Sequence, residues 1–411
     1  MTDSHHCRSC GAPLNLAFLD LGLTPVSNAF VKKEHASVGE MYYPLSASVC
    51  ESCWLVQLNE VTRADLHFHE EYIYFSSFST SWLDHASRYA TDMISRFDLG
   101  AKSRIMELAS NDGYLLQYFV EAGIPCLGVE PTANTAVAAR AKGIEVREVF
   151  FGKPTAADLA AEGWKVDLLA GNNVLAHVPD INDFVGGMPL VLRPEGVVTL
   201  EFPHLLRMIE GVQFDTIYHE HYSYLSLTAL LPVFSRAGLR CFDVEHLPTH
   251  GGSLRLFLCH LAADRVETRA VKDCLAMEVT AGLCGREIYE TFVQRVQATK
   301  RDLLQYLIES KRAGRRIAAY GAAAKGNTLL NYCGIGSDFI DYVVDRSPAK
   351  QGRLLPGTRI PVYAPERIFE TRPDELLILP WNISQEIMEQ MSGIREWGGR
   401  FIVPIPSVQV L

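Results

Sequence analysis

Two C-x2-C pairs near the N-terminus constrain this 411-residue chain more than any other feature. Cys7 and Cys10 form the first pair and Cys50 and Cys53 the second, with residues 11–49 between them. Each pair brings two thiolates onto one ion through a tight turn, so two pairs complete the tetrahedral ligand set of a zinc site. Gly11 directly follows the first pair, as a knuckle turn favours. All four positions are then taken by protein, which makes the expected Zn2+ structural and leaves it no open site for substrate. The intervening stretch exceeds the roughly 15–20 residues of common zinc ribbons, so a small β-rich insert is expected to fill it. The other six cysteines, Cys126, Cys241, Cys259, Cys274, Cys284 and Cys333, are scattered and read as small core residues.

The chain is too long for one hydrophobic core, so two or three domains are expected. A net charge of -10 argues against a nucleic-acid partner, which normally meets a basic stripe. No run of 18 apolar residues appears, so no membrane partner is expected. The opening "MTDSHHCRSCG" lacks the charged and apolar regions of a secretory signal, so a cytoplasmic location is expected. In that reducing compartment cysteines serve as metal ligands or core residues rather than in disulfides.

Residues 1–66 read as the zinc-binding module. From 104 onward strand and helix patterns alternate: "RIMELAS", "GYLLQYFVEAG", "CLGVEP", "ANTAVAARAKG" and "VDLLAGNNVLAHV" in turn. That alternation predicts a doubly wound α/β domain with a parallel sheet over residues 67–262. "GVVTLEFP" continues the sheet, and "LRCFDVEHLPTHGGSLRLFLCH" reads as two strands around a Gly-Gly turn. Residues 263–411 read as long linking helices followed by a second α/β domain, which restarts at "RRIAAYGAAAKGNTLLNYC".

In an open parallel sheet, ligands sit beyond the carboxyl ends of the strands, and the first βα turn is the usual cofactor contact. Here that turn is "ELASNDGYLL", in which Ala109, Ser110 and Gly113 are small enough for close backbone approach. The next strand ends in Glu130, placed to accept two hydroxyls of a ribose. The fourth ends in Asn172 and Asn173, suited to the adenine or methionyl part of a ligand. The set is close to the layout of S-adenosylmethionine-dependent methyltransferases, whose turn commonly reads E-x-G-x-G-x-G. This chain departs from it, with Glu107, Ala109, Asn111 and Gly113 at those positions.

A third feature is "FDTIYHEHYSYLS", with Tyr218, His219, Glu220, His221, Tyr222 and Tyr224 close together. Histidines two apart do not form the zincin pair, which needs a spacing of four on a helix. They would share one side of an extended segment and stand far apart around a helix, and the plainer reading of the stretch is a half-buried Tyr-rich strand or turn whose histidines are merely hydrogen-bonded. In the last domain, "IAAYGAAAKGNT" runs from strand into helix. Gly321, Ala322, Ala323 and Ala324 leave room for a phosphate at the helix start, and Lys325 adds charge. Gly326 and Asn327 continue that turn, and Asp345 ends the next strand where a ribose-binding acid would stand. The G-x-G-x-x-G fingerprint of a dinucleotide site is missing.

Taken together, the twin C-x2-C, "ELASNDGYLL", "YHEHYSYLS" and "YGAAAKGNTLLNY" resemble the sugar-nucleotide C-methyltransferases over nearly the whole chain and in the same order. The resemblance implies an α/β fold of three parts: an N-terminal zinc-binding module, a class I (Rossmann-like) methyltransferase core and a C-terminal Rossmann-like domain. It further implies S-adenosylmethionine as cofactor and a nucleotide-linked 4-keto-6-deoxysugar as the small-molecule partner, thymidine diphosphate-linked and methylated at carbon 3. The carbon beside a ketone becomes a nucleophile only after losing a proton, so such a site needs a base and a group to hold the oxyanion. By the resemblance His221 is the base, with Tyr218 beside it as the competing candidate and Glu220 orienting or tuning the pair. It also implies roles for Tyr72 and His177 at the reacting centre, and makes Gly321, Ala322, Lys325, Gly326, Asn327 and Asp345 a nucleotide site. His219, Tyr222 and Tyr224 are left as packing residues. Two rival readings are a sugar O-methyltransferase and a non-enzymatic zinc-ribbon adaptor.

Overall fold

A computed structural model describes residues 5–59 and 74–411. Its centre is a seven-stranded sheet. In spatial order the strands are Leu239–Leu247, Ser253–His260, Leu192–Pro203, Val166–Asn172, Ile105–Leu108, Cys126–Val129 and Glu145–Arg147. Ser253–His260 pairs antiparallel with both of its neighbours, and the five strands from Leu192–Pro203 onward are parallel. Counted along the chain the order is 3-2-1-4-5-7-6, the arrangement of the class I methyltransferase core. The order reverses between Ile105–Leu108 and Val166–Asn172, so a crevice opens beyond their carboxyl ends.

The central strands are largely apolar on both faces, as a sheet covered on both sides requires. Met106, Leu108, Leu127 and Val198 face one layer of helices, while Ile105, Leu168, Val197 and Phe257 face the other. The helix Thr80–Arg96 starts on Ser79, whose side chain accepts the Trp82 amide, and it buries Tyr89 and Met93 against the second layer.

The N-terminal module is a four-stranded antiparallel sheet, and only three of its strands come from the module. Leu16–Thr24, Tyr43–Val49 and Val56–Leu58 are joined by Ser223–Tyr224, which directly follows the YHEH stretch. A second small pairing, Val31–Lys32 with Arg353–Leu354, ties the module to the C-terminal domain. That domain holds a six-stranded sheet in the order Val362–Tyr363, Val343–Val344, Ile317–Tyr320, Glu375–Ile378, Arg400–Val403 and Gln409–Val410. The helices Arg269–Thr280 and Glu287–Arg312 link it to the core.

Of strand and turn, the two forms open to YHEH, it takes the turn. Residues 218–220 form a turn, closed by the His221 amide donating to the Tyr218 carbonyl at 2.9 Å. A turn sends side chains two apart in different directions, and the two histidines make different contacts.

Candidate active site

The four cysteines converge. Their Sγ atoms all lie within 4.8 Å of one another, and Cys7–Cys53 and Cys10–Cys50 approach to 3.5 Å. With metal–sulfur bonds of about 2.3 Å, the thiolates of a tetrahedral zinc stand about 3.8 Å apart, so the set fits that ion. The knuckle also reaches the rest of the molecule. Arg8 donates through Nη1 to the Leu58 carbonyl at 2.7 Å and through Nη2 to the Tyr222 carbonyl, while its amide donates to Gln57. Gln57 in turn donates to Cys7 Sγ at 3.2 Å. Metal ligands, Arg8 and the strand after YHEH thus form one hydrogen-bonded unit.

In the first βα turn, Ala109, Asn111 and Gly113 have φ of 56°, 49° and 74°. These are the three positions of the usual glycines in E-x-G-x-G-x-G, so the left-handed backbone is kept where two of the glycines are not. Such a conformation costs a non-glycine residue on the order of 1 kcal/mol or more, with asparagine among the better tolerated. Asn111 is further anchored by its side chain, which accepts the Ser76 amide at 2.9 Å and donates to the Tyr74 carbonyl at 3.1 Å. Gly113 is obligatory for a second reason: a Cβ there would stand 2.3 Å from Ile144 Cδ1.

The walls of this crevice carry buried polar atoms that the protein leaves unsatisfied. Both carboxylate oxygens of Glu107, the Ser110 hydroxyl and both amide atoms of Asn172 make no well-formed hydrogen bond among the described residues, with only the Tyr114 hydroxyl close to Glu107 and Asn172, and Asn173 Oδ1 is in the same position. Buried groups of this kind are rarely left alone in a native protein, and a polar cofactor such as S-adenosylmethionine is what they fit. When bound, that cofactor supplies an electrophilic methyl group on a sulfonium. Burial pushes the Glu107 carboxyl well above the usual carboxylate range, with the Tyr114 hydroxyl alongside. Glu130 is already engaged: Oε2 accepts the Asn111 amide at 2.9 Å, and Oε1 accepts the amide of Thr132 at 2.9 Å and its hydroxyl. Oε1 thus already accepts two hydrogen bonds, and Oε2 keeps a second lone pair for a ribose hydroxyl.

At the mouth of the crevice stands the YHEH turn. Tyr218 Oη lies 2.7 Å from His221 Nε2, and His221 Nδ1 lies 2.8 Å from the Thr216 carbonyl. A carbonyl only accepts, so Nδ1 carries the proton and Nε2 presents a lone pair toward the Tyr218 hydroxyl. Burial, reinforced by His177 and Lys325, holds His221 well below the usual histidine range. His177, just past the end of the fourth core strand, stands edge-on to His221 with ring centroids 4.6 Å apart, and burial lowers it to about 4. Both rings are neutral at cellular pH. Glu220 points the other way, into the N-terminal module. Its carboxyl is 2 % exposed, is pushed up to about 7 by burial, and accepts from Asn28 Nδ2 at 2.7 Å. His219 turns to the Pro44 carbonyl at 3.2 Å and packs on Tyr43. Tyr72 lies outside the described residues.

The expected nucleotide turn of the C-terminal domain is divided in its contacts. Gly321 (φ 94°) and Gly326 pack so tightly that a Cβ would meet Pro380 at 2.3 Å and Leu379 at 2.9 Å. Asp345 Oδ2 accepts the Ala322 amide at 2.8 Å, and Asn327 donates to the Ser27 carbonyl of the N-terminal module at 2.6 Å. Lys325 faces the methyltransferase core. Its Nζ donates to Asn382 Oδ1 at 2.7 Å and sits 4.8 Å from the centroid of Trp381, whose indole N–H donates to Asp215 Oδ2 at 2.8 Å. Thr216, next to Asp215, supplies the carbonyl that orients His221.

Several residues here escape sequence reasoning. Asp215, second in the stretch "FDTIYHEHYSYLS", carries no signal of its own in the sequence. Thr249 and His250 were read only as the approach to a Gly-Gly turn. Thr249 Oγ1 donates to Glu201 Oε1 at 3.0 Å, and Glu201 Oε2 is shared by His85 at 2.9 Å and Arg255 at 3.0 Å. His250, at φ 55°, meets Trp82 edge-on at 5.1 Å.

Comparison with known proteins covers the chain from end to end. Family models match residues 7–68 as a zinc binding domain, 82–244 as a methyltransferase domain and 248–406 as a C-methyltransferase C-terminal domain. C-methyltransferase NovU from Streptomyces niveus is 36% identical over 408 residues, spanning 98% of this chain and 96% of that protein. The ubiquinone biosynthesis O-methyltransferase of Rhodopseudomonas palustris (strain BisA53) is 24% identical over 147 residues, 31% of this chain and 58% of that protein. Among solved structures, magnesium protoporphyrin IX methyltransferase (ChlM) from Synechocystis PCC 6803 with bound SAM is similar over 43% of this chain and 79% of that one. Its sequence identity is 12% and its TM-score 0.34. With a relative this similar along almost its entire length and three matching domains in succession, the chain belongs to the S-adenosylmethionine-dependent C-methyltransferases.

Proposed function

We propose that the acceptor is a nucleotide-linked 4-keto-6-deoxysugar, thymidine diphosphate-linked and methylated at carbon 3 through a base-generated enolate. The observation that carries this reading is the neutral Tyr218–His221 pair at the mouth of the cofactor crevice, with His177 against it. A C–H bond beside a ketone is weakly acidic, and a neutral imidazole held by a carbonyl at Nδ1 is a base suited to it. The proton leaves the sugar carbon for His221 Nε2, directly or by way of the Tyr218 hydroxyl, and the electron pair of the C–H bond becomes that of the enolate. The crevice walls at Glu107, Ser110, Asn111, Glu130, Asn172 and Asn173 hold the methyl donor against that carbon. Glu220 and Asn28 fix the turn from behind, and the C-terminal domain, with Gly321, Ala322, Gly326, Asn327 and Asp345 at its first βα turn, holds the nucleotide. No helix among the described residues is long and apolar enough to cross a membrane. A cytoplasmic setting agrees with cysteines that form no disulfide.

The test is incubation with a panel of 4-keto sugar nucleotides and methyl-labelled donor, followed by NMR of the product. The expected result is a new carbon–carbon bond at carbon 3. Label appearing on oxygen would make the protein an O-methyltransferase instead.

A further inference from the structure

Lys325 is spent on little within the protein. Of its three N–H donors one reaches Asn382 Oδ1, and no carboxylate lies within ion-pair distance among the described residues. Asp215 is the nearest acid in the network: Trp381 bridges the two side chains, each charge favours the other across that gap, and Asp215 Oδ1 is buried with no hydrogen-bond partner among the described residues. Lys325 lies half-buried at the seam between the C-terminal domain and the 3-10 turn Phe214–Thr216, and burial holds its ammonium below the usual lysine range. That turn fixes His221 through the Thr216 carbonyl. Through Trp381, Asp215 and Thr216 the ammonium is joined to the turn that carries the proton-transfer pair, and its charge adds to the burial that lowers His221 and His250. The adjoining nucleotide turn offers it little company: the Ala322 amide that would join it on a phosphate is given to Asp345.

We infer that Lys325 is a catalytic residue that holds the ketone oxygen of the sugar as it becomes the enolate oxyanion. The inference rests on the proposed enolate chemistry. Proton abstraction turns two neutral groups into an imidazolium and an enolate. The C–H pair moves into the carbon–carbon double bond, the carbonyl π pair moves onto oxygen, and the proton ends on His221 Nε2. A fixed ammonium at the oxygen end stabilises the negative partner, and with one N–H given to Asn382 it keeps donors for the charge that develops in the transition state. Its second effect, lowering His221, keeps that ring unprotonated and ready to accept.

The experiment measures solvent deuterium exchange at the substrate α-carbon, using a thymidine diphosphate 4-keto sugar at saturation with S-adenosylhomocysteine present, and separately the affinity for thymidine diphosphate alone. Lys325→Met is expected to lower exchange about 100- to 1,000-fold, the usual loss for one oxyanion donor, with thymidine diphosphate affinity nearly unchanged and partial recovery in Lys325→Arg. Asn382→Leu keeps the charge but frees its aim, and should slow exchange without abolishing it, which serves if Lys325→Met does not fold. Exchange as fast as wild type in a folded Lys325→Met, or in Asn382→Leu where that variant stands in, overturns the assignment. Weakened thymidine diphosphate binding with normal exchange makes Lys325 a phosphate ligand instead. Wild-type protein silent in exchange removes the enolate reading itself, and this inference with it.

Discussion

The Tyr218 hydroxyl sits 2.7 Å from His221 Nε2 because the Thr216 carbonyl, 2.8 Å from Nδ1, fixes the opposite face of the ring. One tautomer is therefore imposed by backbone, and the lone pair that can take a proton is already aimed. Nitrogen NMR of the imidazoles should show His221 protonated at Nδ1 and neutral throughout pH 6 to 8, with His177 likewise silent. Titration of His221 near the ordinary value of about 6.5 would contradict this placement.

Glu220 makes a prediction about stability. Its folded pKa of about 7 lies above the unfolded value, so the folded state binds the proton more tightly. Stability from this group is fully present below the unfolded value of about 4.3 and is lost as pH rises toward 7. Glu220→Gln keeps an acceptor for Asn28 and removes the ionisation. It should gain on wild type between pH 5 and pH 8 by on the order of 2–3 kcal/mol in denaturant titrations. An unchanged difference between the two pH values would mean that the carboxyl is solvated.

The zinc knuckle should control the catalytic turn. Arg8 spans from the ligand cysteines to the Tyr222 carbonyl, and Ser223–Tyr224 completes the module's sheet. Elemental analysis should find about one zinc per chain, as four thiolates require. Chelation should raise hydrogen exchange across residues 218–224 before the seven-stranded sheet opens. Equal protection of that turn with and without metal would separate the two.

At the cofactor turn, Ala109 holds a φ of 56°. Ala109→Gly should be neutral or stabilising by up to about 1 kcal/mol, whereas Ala109→Val should cost more than that and weaken S-adenosylmethionine binding. Glu130→Ala should raise the KM for S-adenosylmethionine and leave sugar-nucleotide affinity nearly unchanged. Equal loss of both affinities in Glu130→Ala would show that its bonds to Asn111 and Thr132 matter for folding rather than for the ribose.

The contrast between Ala109 and His219 shows what the sequence reveals. Local spacing made the metal ligands, the strand–helix alternation and the first βα turn legible, since each is a short-range pattern with one physical use. Even the missing glycines were visible as a departure, although only the backbone shows that Ala109 and Asn111 keep the glycine conformation. The spacing of His219 and His221 leaves strand and turn open, and with them whether the two rings point the same way. The turn that separates them depends on Ser223–Tyr224 pairing with Val56–Leu58, a contact across more than half of the methyltransferase core. Asp215, Trp381 and the inward aim of Lys325 were hidden for the same reason: they meet only when two domains pack.

The most direct measurement is deuterium exchange at the substrate α-carbon, with no methyl donor, in wild type, His221→Asn and Tyr218→Phe. Removing a positioned base costs about 100- to 10,000-fold, whereas losing a packing residue leaves the chemistry of the folded fraction intact. The account predicts that His221→Asn folds, binds both ligands and loses nearly all exchange, with Tyr218→Phe reporting whether the proton passes through the hydroxyl. Near-normal exchange in both variants would contradict it and leave the YHEH turn a structural element.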